Sequence, residues 1–473
     1  MFFFFDEDNR SKEDKIEYHY LSRFIKFGIE KDESGNTTFY DSNGLLINPD
    51  SKDDSEKNIQ GHDFKRLISE KIRKTIYGEK YFNIVFLAGA GASVTIDLDP
   101  KYGKTVKMIA DDIFKKLHED KEVYTLEQLA KKCKYKCGSI LAEKVTRLDD
   151  DSQREGMTVG EDNKSEDDIQ LDQSFNLEDF LSTVLHYRPY VPEKEKNKYN
   201  RSIKKILLLI KENTNYSYDR KYLKHGALLN ELSNLSGKDG NKFSIITTNY
   251  DVLIEEAAAE NNFVIFDGFN FTPLPKLDGN MFGWNLVKEV QNVNTKEVEF
   301  KDKTFNLVKI HGSLTWEKQD NGDILRKDRN SITDTDKMVM IFPSSDKFAQ
   351  SYQEPYFELF TKFQDLIKRP NTLLISSGFS FADDHISKMI TQALKNNSSL
   401  KLLVTDFNIY PNREWNEKDK KYIEIKEQDS RYNKNWSELV RLMNEGYPIS
   451  FLKSTMNSDL VDYLSGGYLD GKH

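Results

Sequence analysis

The chain has 473 residues, of which 37% are hydrophobic, 31% charged and 12% aromatic, so it is neither wholly disordered nor collagen-like. A net charge of −9 excludes a broad basic surface for nucleic-acid phosphates, and the longest apolar run, 84–96, is shorter than the roughly 20 residues of a membrane span. Met1 to Phe5 passes directly into acidic residues, and Cys133 and Cys137 are the two cysteines, so we expect a cytoplasmic protein without membrane or direct nucleic-acid contacts.

The predicted elements begin with residues 1–80, a polar segment that we interpret as an N-terminal extension. Apolar runs then predict buried strands at 83–88, 243–247, 307–310, 338–342, 372–376 and 402–405. Their apolarity is continuous rather than alternating, which is typical of parallel strands covered on both faces. The predicted fold class is therefore α/β, with a doubly wound, Rossmann-like parallel sheet.

An insertion is predicted between the first two strands, because the roughly 150 residues there far exceed the roughly 30 of a βαβ unit. Helical periodicity predicts a helical subdomain over about 120–240, inside a catalytic domain of residues 81–415. Residues 147–173 carry ten acidic and three basic side chains and are interpreted as a flexible acidic loop. Residues 416–473 are predicted to form a C-terminal helical tail.

A glycine-containing loop follows the first predicted strand, with the sequence Gly89, Ala90, Gly91, Ala92 and Ser93. Such small residues let backbone amides approach a pyrophosphate at a helix N-terminus. Val94 stands in place of the third glycine of the dinucleotide fingerprint, so a tight turn without a ligand is the alternative. Gly103-Lys104-Thr105 is similar to the end of the phosphate-binding loop of nucleoside triphosphatases. That loop requires a glycine five residues before Gly103, where this chain has Leu98, so the motif does not predict such an enzyme.

Polar residues also follow the next two strands of the predicted sheet. Thr248, Asn249 and Asp251 follow the second strand, and His311 and Gly312 follow the third. Because ligands of parallel sheets bind at the carboxyl ends of strands, we expect these residues to converge there. The alternatives are a turn-forming asparagine and a structural histidine.

Four motifs in this chain resemble, in their order, motifs of the sirtuin family, and more closely those of its bacterial antiviral-defence NADase branch. They are Gly89–Ser93, Thr247–Asp251, Lys309–Ser313 and Gly378–His385, and the segment Asn176–Leu181 also resembles that branch. The resemblance implies that NAD+ is the substrate and that Asn249 and His311 are catalytic. Imidazole suits the role of base because its unperturbed pKa is near 6.5.

The resemblance also implies contacts with NAD+ outside the catalytic pair. Asp251 would steady the loop on the nicotinamide side, Ser313 would support it, and Asp406 would accept ribose hydroxyls or form a solvated turn. His385 is interpreted as a helix-start or packing residue rather than a second base. The remaining expected contacts are Gly89, Ala90, Gly91, Ala92, Ser93, Thr248, Gly312, Gly378 and Ser380.

The sequence departs from protein-deacylating sirtuins at two places. Cys133 and Cys137 form a single pair where four zinc ligands would be needed, so we expect no metal. The Pro-Asp-Phe-Arg element is absent, and Asp97, Asp99 and Pro100 are only loosely similar to it.

We therefore predict an NAD+ glycohydrolase that uses water as nucleophile and acts in abortive antiviral defence by depleting NAD+. The alternatives are an NAD-dependent protein deacylase and a non-catalytic module that senses NAD+ or ADP-ribose. Because an unregulated NADase would kill its own cell, we expect a homo-oligomer with a separately encoded partner. A hexameric ATPase of the DNA-translocase type and a nucleotide-sensing subunit both fit that expectation.

Overall fold

The structure is a computed structural model. It describes residues 16–31, 36–42, 44–45, 61–78, 81–95, 97, 101–138, 140–141, 170–172, 175–236, 240–290, 297–341, 354–409, 413–416, 421–424 and 433–467. The predicted acidic loop lies outside these residues, apart from 170–172.

The strands and helices are named here in chain order. The strands are β1 (Glu17–Ser22), β2 (Lys26–Lys31), β3 (Thr37–Asp41), β4 (Gly44–Leu45), β5 (Asn83–Ala88), β6 (Phe243–Thr247), β7 (Val264–Phe266), β8 (Val287–Glu289), β9 (Val298–Phe300), β10 (Thr304–Lys309), β11 (Gly312–Lys318), β12 (Ile324–Arg326), β13 (Met338–Met340), β14 (Thr372–Ser377), β15 (Leu400–Asp406), β16 (Arg413–Asn416), β17 (Lys421–Glu424) and β18 (Ile449–Lys453). The helices are α1 (Gly61–Tyr77), α2 (Val106–Glu119), α3 (Leu126–Cys133), α4 (Leu177–Tyr187), α5 (Glu193–Asn213), α6 (His225–Ser236), α7 (Leu253–Glu260), α8 (Tyr356–Lys368), α9 (Asp384–Asn396), α10 (Ser437–Glu445) and α11 (Leu460–Ser465).

Within the described residues, a central sheet has the strand order β4-β3-β2-β1-β18-β15-β14-β5-β6-β10-β7. The run from β18 to β7 is parallel throughout. From β5 the chain continues to β6 and β10 on one side, and then crosses to β14, β15 and β18 on the other. The doubly wound α/β prediction is confirmed, and the topological switch point lies between β5 and β14.

Helices cover both faces of this sheet because side chains alternate along each strand. On β5, Val85 and Leu87 pack toward α8, α9 and α10, whereas Ile84 and Phe86 pack toward α1, α6, α7 and α11. All six residues of β5 are buried. Continuous apolarity therefore gave the correct prediction for the central strands.

Both terminal segments contribute strands to the central sheet. Strand β18, in the predicted helical tail, pairs in parallel with β15, and β1 of the predicted extension pairs antiparallel with β18. Strand β18 is five residues long and was not among the strands predicted from apolar runs. The sheet thus extends beyond the strands predicted from the sequence.

The segment between β5 and β6 is helical among the described residues. Helices α2 to α5 share a hydrophobic cluster of their own, with Leu117, Leu129, Phe180 and Ile206 at its centre. Helix α6 instead packs on the sheet through Leu228 and its neighbours. The insertion's own core therefore ends before α6.

The predicted strand at 338–342 does not join the parallel sheet. Strand β13 pairs antiparallel with β11, in a small sheet of order β12-β11-β13. Val339 packs in the main core and Met340 is also buried, so this antiparallel strand has the apolar run expected of a parallel one. Among the described residues, no helix has the length and apolarity that crossing a bilayer requires.

Candidate functional site

Two loops meet at the switch point of the central sheet. The amide of Gly89 donates to the carbonyl of Ser377 over 3.0 Å, and the amide of Gly91 donates to the carbonyl of Gly378 over 2.9 Å. The amide of Gly378 in turn donates to the carbonyl of Thr405 over 3.3 Å. Backbone hydrogen bonds therefore join the ends of β5, β14 and β15.

Glycine is required where these loops cross. A Cβ added at Gly89 would lie 2.4 Å from the carbonyl oxygen of Gly378, and one added at Gly378 would lie 2.4 Å from the nitrogen of Ala92. Gly378 also has a φ of +62°. The helix predicted to begin at this loop is limited to one short turn. The loop bonds across to the neighbouring strand end and forms a single 3-10 turn, Ala90–Ser93.

Polar side chains connect the glycine loop to the end of β6. The Nδ2 atom of Asn249 donates to the carbonyl of Gly89 over 3.0 Å and to Oγ of Ser93 over 3.1 Å. The Ser93 hydroxyl donates to Oδ2 of Asp251 over 2.8 Å. Ser93 and Asp251 are buried and Asn249 is half-buried. These bonds fix the plane of the Asn249 amide.

A buried lysine lies behind this group. Lys309, the last residue of β10, is 2% exposed. Its ammonium donates to Oε1 of Glu255 over 2.9 Å and to the backbone carbonyl of Asp251. Burial raises the pKa of both Asp251 and Glu255, and the positive charge of Lys309 opposes both shifts. Lys309 therefore forms an ion pair with the half-buried Glu255 and brings a positive charge near the Asp251 carboxylate, which also accepts a hydrogen bond from Ser93.

Asn249 and His311 lie beyond the ends of neighbouring strands. Thr247 and Lys309 are paired in register at the ends of β6 and β10. Asn249 and His311 each come two residues later. The sheet thus brings the two predicted catalytic residues to the same edge, on adjacent strands.

Further hydrogen bonds connect the segments that follow these strands. The amide of Leu314 donates to the carbonyl of Tyr250 over 3.1 Å, and the amide of Ile341 donates to the carbonyl of His311 over 2.9 Å. The Tyr250 hydroxyl donates to the carbonyl of Ile341. Gly312 has a φ of +82°, and a Cβ there would lie 2.1 Å from a carbonyl oxygen of β13. These contacts therefore fix the backbone of the segments that follow β6 and β10, on either side of His311.

The imidazole of His311 faces a carboxylate in a protected position. His311 is 5% exposed, and its Nε2 lies 3.4 Å from Oδ2 of Asp383. The ring of Phe360 lies 6.3 Å from the His311 ring and 4.9 Å from the His385 ring. Burial lowers the pKa of His385, and Asp383 opposes that shift. His385 packs on Phe360, in agreement with its interpretation as a packing residue.

Asp383 is also the N-cap of α9. Its Oδ1 accepts hydrogen bonds from the amides of His385 and Ile386, over 3.1 and 3.2 Å. An N-cap aspartate satisfies amides that the helix leaves without partners. One carboxylate therefore joins the start of α9 to His311.

The other predicted contacts lie at the same edge of the sheet. Thr248 follows β6 and donates its amide to the carbonyl of Ala88 over 3.3 Å. Ser380 is exposed on the loop after β14. Asp406 ends β15 and accepts the amide of Phe407 at Oδ1 over 2.7 Å. Burial raises the pKa of Asp406 to about 7.

A residue of the C-terminal segment supports the glycine loop. The buried Asn457 donates from Nδ2 to the carbonyls of Ala92 and Val94, over 2.9 and 2.8 Å. Ala90 is exposed on this loop, whereas Ala92 and Ser93 are buried. Asn457 therefore fixes the buried side of the loop, and Ala90 faces solvent on the other side.

Sequence analysis missed four residues of this site: Glu255, Lys309, Asp383 and Asn457. Two of them had a readable signal, since Lys309 interrupts an apolar strand and Asp383 lies inside one of the four motifs. Glu255 and Asn457 had none, because their partners are set by the tertiary fold.

Two further predicted features lie in the helical insertion. Asn176 caps α4 by accepting the amides of Glu178 and Asp179. Cys133 is buried in the helical insertion, and the side chain of Cys137 lies outside the described residues. The part of the chain that the structure describes contains no group of three His, Cys, Asp or Glu side chains that could hold a metal.

The fold and this edge define an α/β protein with a candidate nucleotide site at the switch point. Residues 244–432 match the family model described as "SIR2-like domain". This part of the chain is therefore similar to SIR2-like domains. The match includes Asn249 and His311, and the glycine loop precedes it.

Similarity to solved structures and to curated proteins was also assessed. A solved structure described as "Structural Basis for the Mechanism and Regulation of Sir2 Enzymes" has 12% identity, with 80% of this chain and 99% of that chain covered, at a TM-score of 0.29. No curated protein matches the chain in sequence.

Proposed function

We propose that this protein is an NAD+ glycohydrolase that cleaves NAD+ into nicotinamide and ADP-ribose. One observation carries the proposal: Asn249 and His311 each lie two residues beyond a register pair on adjacent parallel strands. An amide and an imidazole at that edge are the groups that this hydrolysis needs. The glycine loop follows the adjacent strand β5, where its backbone can bind a pyrophosphate.

The chemistry requires little acid assistance. The bond between the ribose C1′ and the nicotinamide nitrogen breaks, and its electron pair neutralises the pyridinium, so the leaving group departs uncharged. Water then forms the new C1′–O bond and gives its proton to a base. Paired carboxylates of the kind used by ordinary glycosidases are therefore not needed.

Asn249 is proposed to bind a ribose hydroxyl and the attacking water. Its amide nitrogen already donates hydrogen bonds to Gly89 and Ser93, so the side chain is oriented before the substrate binds and loses little conformational entropy on binding. His311 is proposed to accept the proton of the water, with Asp383 beside its Nε2. Asp251 supports Asn249 through Ser93.

The other contacts follow the strand ends. Gly89, Ala90, Gly91, Ala92, Gly312, Gly378 and Thr248 would form the backbone surface beneath the dinucleotide, and Ser380 would contact the phosphates or distal ribose. Asp406 would accept ribose hydroxyls from the end of β15. The exposure of Ala90 and Ser380 supports this arrangement, since both are open to a ligand.

The burial of His311 supports an enzyme whose activity is gated. With 5% of its surface exposed, the base is shielded until the neighbouring loops move. Such gating fits a homo-oligomer controlled by a separately encoded partner, either a hexameric ATPase of the DNA-translocase type or a nucleotide-sensing subunit. The cellular role proposed with it is antiviral defence by NAD+ depletion.

Product analysis tests the proposal against the alternatives. Purified protein is incubated with NAD+, with and without an acyl-lysine peptide, and nicotinamide, ADP-ribose and deacylated peptide are quantified by mass spectrometry. We expect equal amounts of nicotinamide and ADP-ribose, independent of the peptide. Nicotinamide release only with the peptide would show a deacylase, and NAD+ binding without turnover in every oligomeric state would show a sensing module.

A further inference from the structure

We propose that a cavity beside α5 binds a small molecule carrying two or more phosphate groups. The cavity has a volume of about 460 Å³, within the roughly 300–1,000 Å³ of small-molecule sites. It lies between α5 and the segment that precedes β13. None of its lining residues belongs to the candidate functional site.

The charge of the lining favours an anion. Arg188, Arg201 and Lys204 are cationic, and Asp336 is the one carboxylate among the lining residues that the structure describes. Guanidinium groups bind phosphate oxygens through paired hydrogen bonds, and an ammonium group adds a point charge. Arg201 also pairs with Glu122, its Nη1 lying 2.9 Å from Oε2 of that residue, so an anion would share or replace this partner. Three cations around one cavity match a ligand with several phosphate charges.

The lining also contains polar groups without partners. The side chains of Asn197, Lys204 and Thr335 make no hydrogen bond or ion pair with any residue that the structure describes. Thr335 is 6% exposed, so bulk water reaches little of its side chain. Asn197 and Lys204 are exposed, so a bound phosphate can accept hydrogen bonds from them without displacing a protein partner.

Asp336 occupies part of the place that the anion would take. Its Oδ1 lies 3.7 Å from Nη1 of Arg188, and its side chain is 72% exposed. Arg188 also donates from Nε to Oδ1 of Asn200 over 2.9 Å, which orients the guanidinium independently of Asp336. A phosphate can therefore replace the carboxylate at Arg188 while Asp336 turns to solvent.

The cavity wall leads toward the candidate active site. Thr335 and Asp336 are followed by β13, where Met340 pairs with Gly312, the residue after His311. A ligand in the cavity would contact the segment that continues into this strand. The cavity is therefore better suited to a regulatory ligand than to a second substrate.

The test is calorimetric titration of the full chain with inorganic tripolyphosphate. The variants are the double variant Arg201→Gln with Lys204→Gln, the single variant Asp336→Asn, and Lys196→Gln as the matched control. Lys196 lies on the same helix, pairs with Glu193 and does not line the cavity. Thermal melting checks that each variant is folded.

We expect the double variant to bind at least about tenfold more weakly, because two of the three cations are lost. Asp336→Asn should bind severalfold more tightly, and Lys196→Gln should bind as the wild type does. Absence of binding by the wild type, or equal affinity of the wild type and the double variant, would overturn the proposal. Because no NAD+ turnover is measured, either result is independent of the proposed activity.

Discussion

The Nε2 atom of His311 lies 3.4 Å from Oδ2 of Asp383, and both side chains are largely buried. The other oxygen of the same carboxylate caps α9. A packed helix therefore fixes the position of the carboxylate, and the carboxylate faces the imidazole. This relationship makes Asp383 a positioning residue for the proposed base.

Asp383→Asn tests that role without removing the helix cap, since asparagine caps as well as aspartate. We expect kcat for nicotinamide release to fall roughly 10- to 100-fold, part of the roughly 10²–10⁴ that a positioned base contributes, with KM little changed. The matched control is Asp384→Asn, whose carboxylate is 84% exposed and pairs with Lys388. Equal kcat values for the two variants would remove Asp383 from the mechanism.

Gly378→Ala tests the crossing of the two loops. The added methyl would lie 2.4 Å from the nitrogen of Ala92, so the loops must separate and NAD+ affinity should fall at least about tenfold. Gly322→Ala is the control, because Gly322 has a φ of +89° but nothing within 4 Å of the added Cβ. It should lose about 1–3 kcal/mol of unfolding free energy to backbone strain and retain NAD+ binding. Titration calorimetry and denaturant unfolding measure the two effects, and unchanged NAD+ affinity in Gly378→Ala would count against the loop contact.

Lys309→Met tests the buried charge cluster. It removes the cation from the buried Asp251 and from Glu255, whose side chain is 25% exposed, and we expect the free energy of unfolding at pH 7 to fall by about 1–3 kcal/mol, less than for a fully buried pair. Adding Glu255→Gln to the same chain should restore part of the loss, because one uncompensated carboxylate is removed. Denaturant titration measures both variants. A double variant less stable than Lys309→Met would contradict the assigned pairing.

Asp406 predicts a pH dependence of stability. Because burial raises its pKa to about 7, the folded chain keeps a proton that the unfolded chain has lost above about pH 4. Its contribution to stability is therefore present at low pH and declines as pH rises toward 7. In Asp406→Asn, the decrease in unfolding free energy between pH 4 and pH 7 should be smaller than in the wild type by about 1–3 kcal/mol. An unchanged pH profile in this variant would show that Asp406 ionises normally.

The sequence predicted what depends on local pattern and strand order. Continuous apolar runs identified β5, β6, β10, β14 and β15, and the residues just beyond each strand predicted which side chains share one edge. The same logic failed for β13, because burial in an antiparallel sheet produces the same apolar run.

Contacts between distant segments could not be predicted from the sequence. Asn457 bonds to Ala92 across 365 positions of the chain, and Asp383 follows β14 while its partner His311 follows β10. Their residue types alone carry no information about these partners. Lys309 is an intermediate case, because a lysine in an apolar strand signals a buried partner without identifying it.

Nicotinamide release from NAD+ by the wild type, Asn249→Ala and His311→Ala tests the central claim most directly. Asn280→Ala and His62→Ala are matched controls, because both residues are exposed and lie outside the site. We expect each site variant to lose at least about 100-fold in turnover with its melting temperature preserved, and both controls to match the wild type. Turnover at the wild-type rate in either folded site variant would contradict the proposed pairing of amide and imidazole.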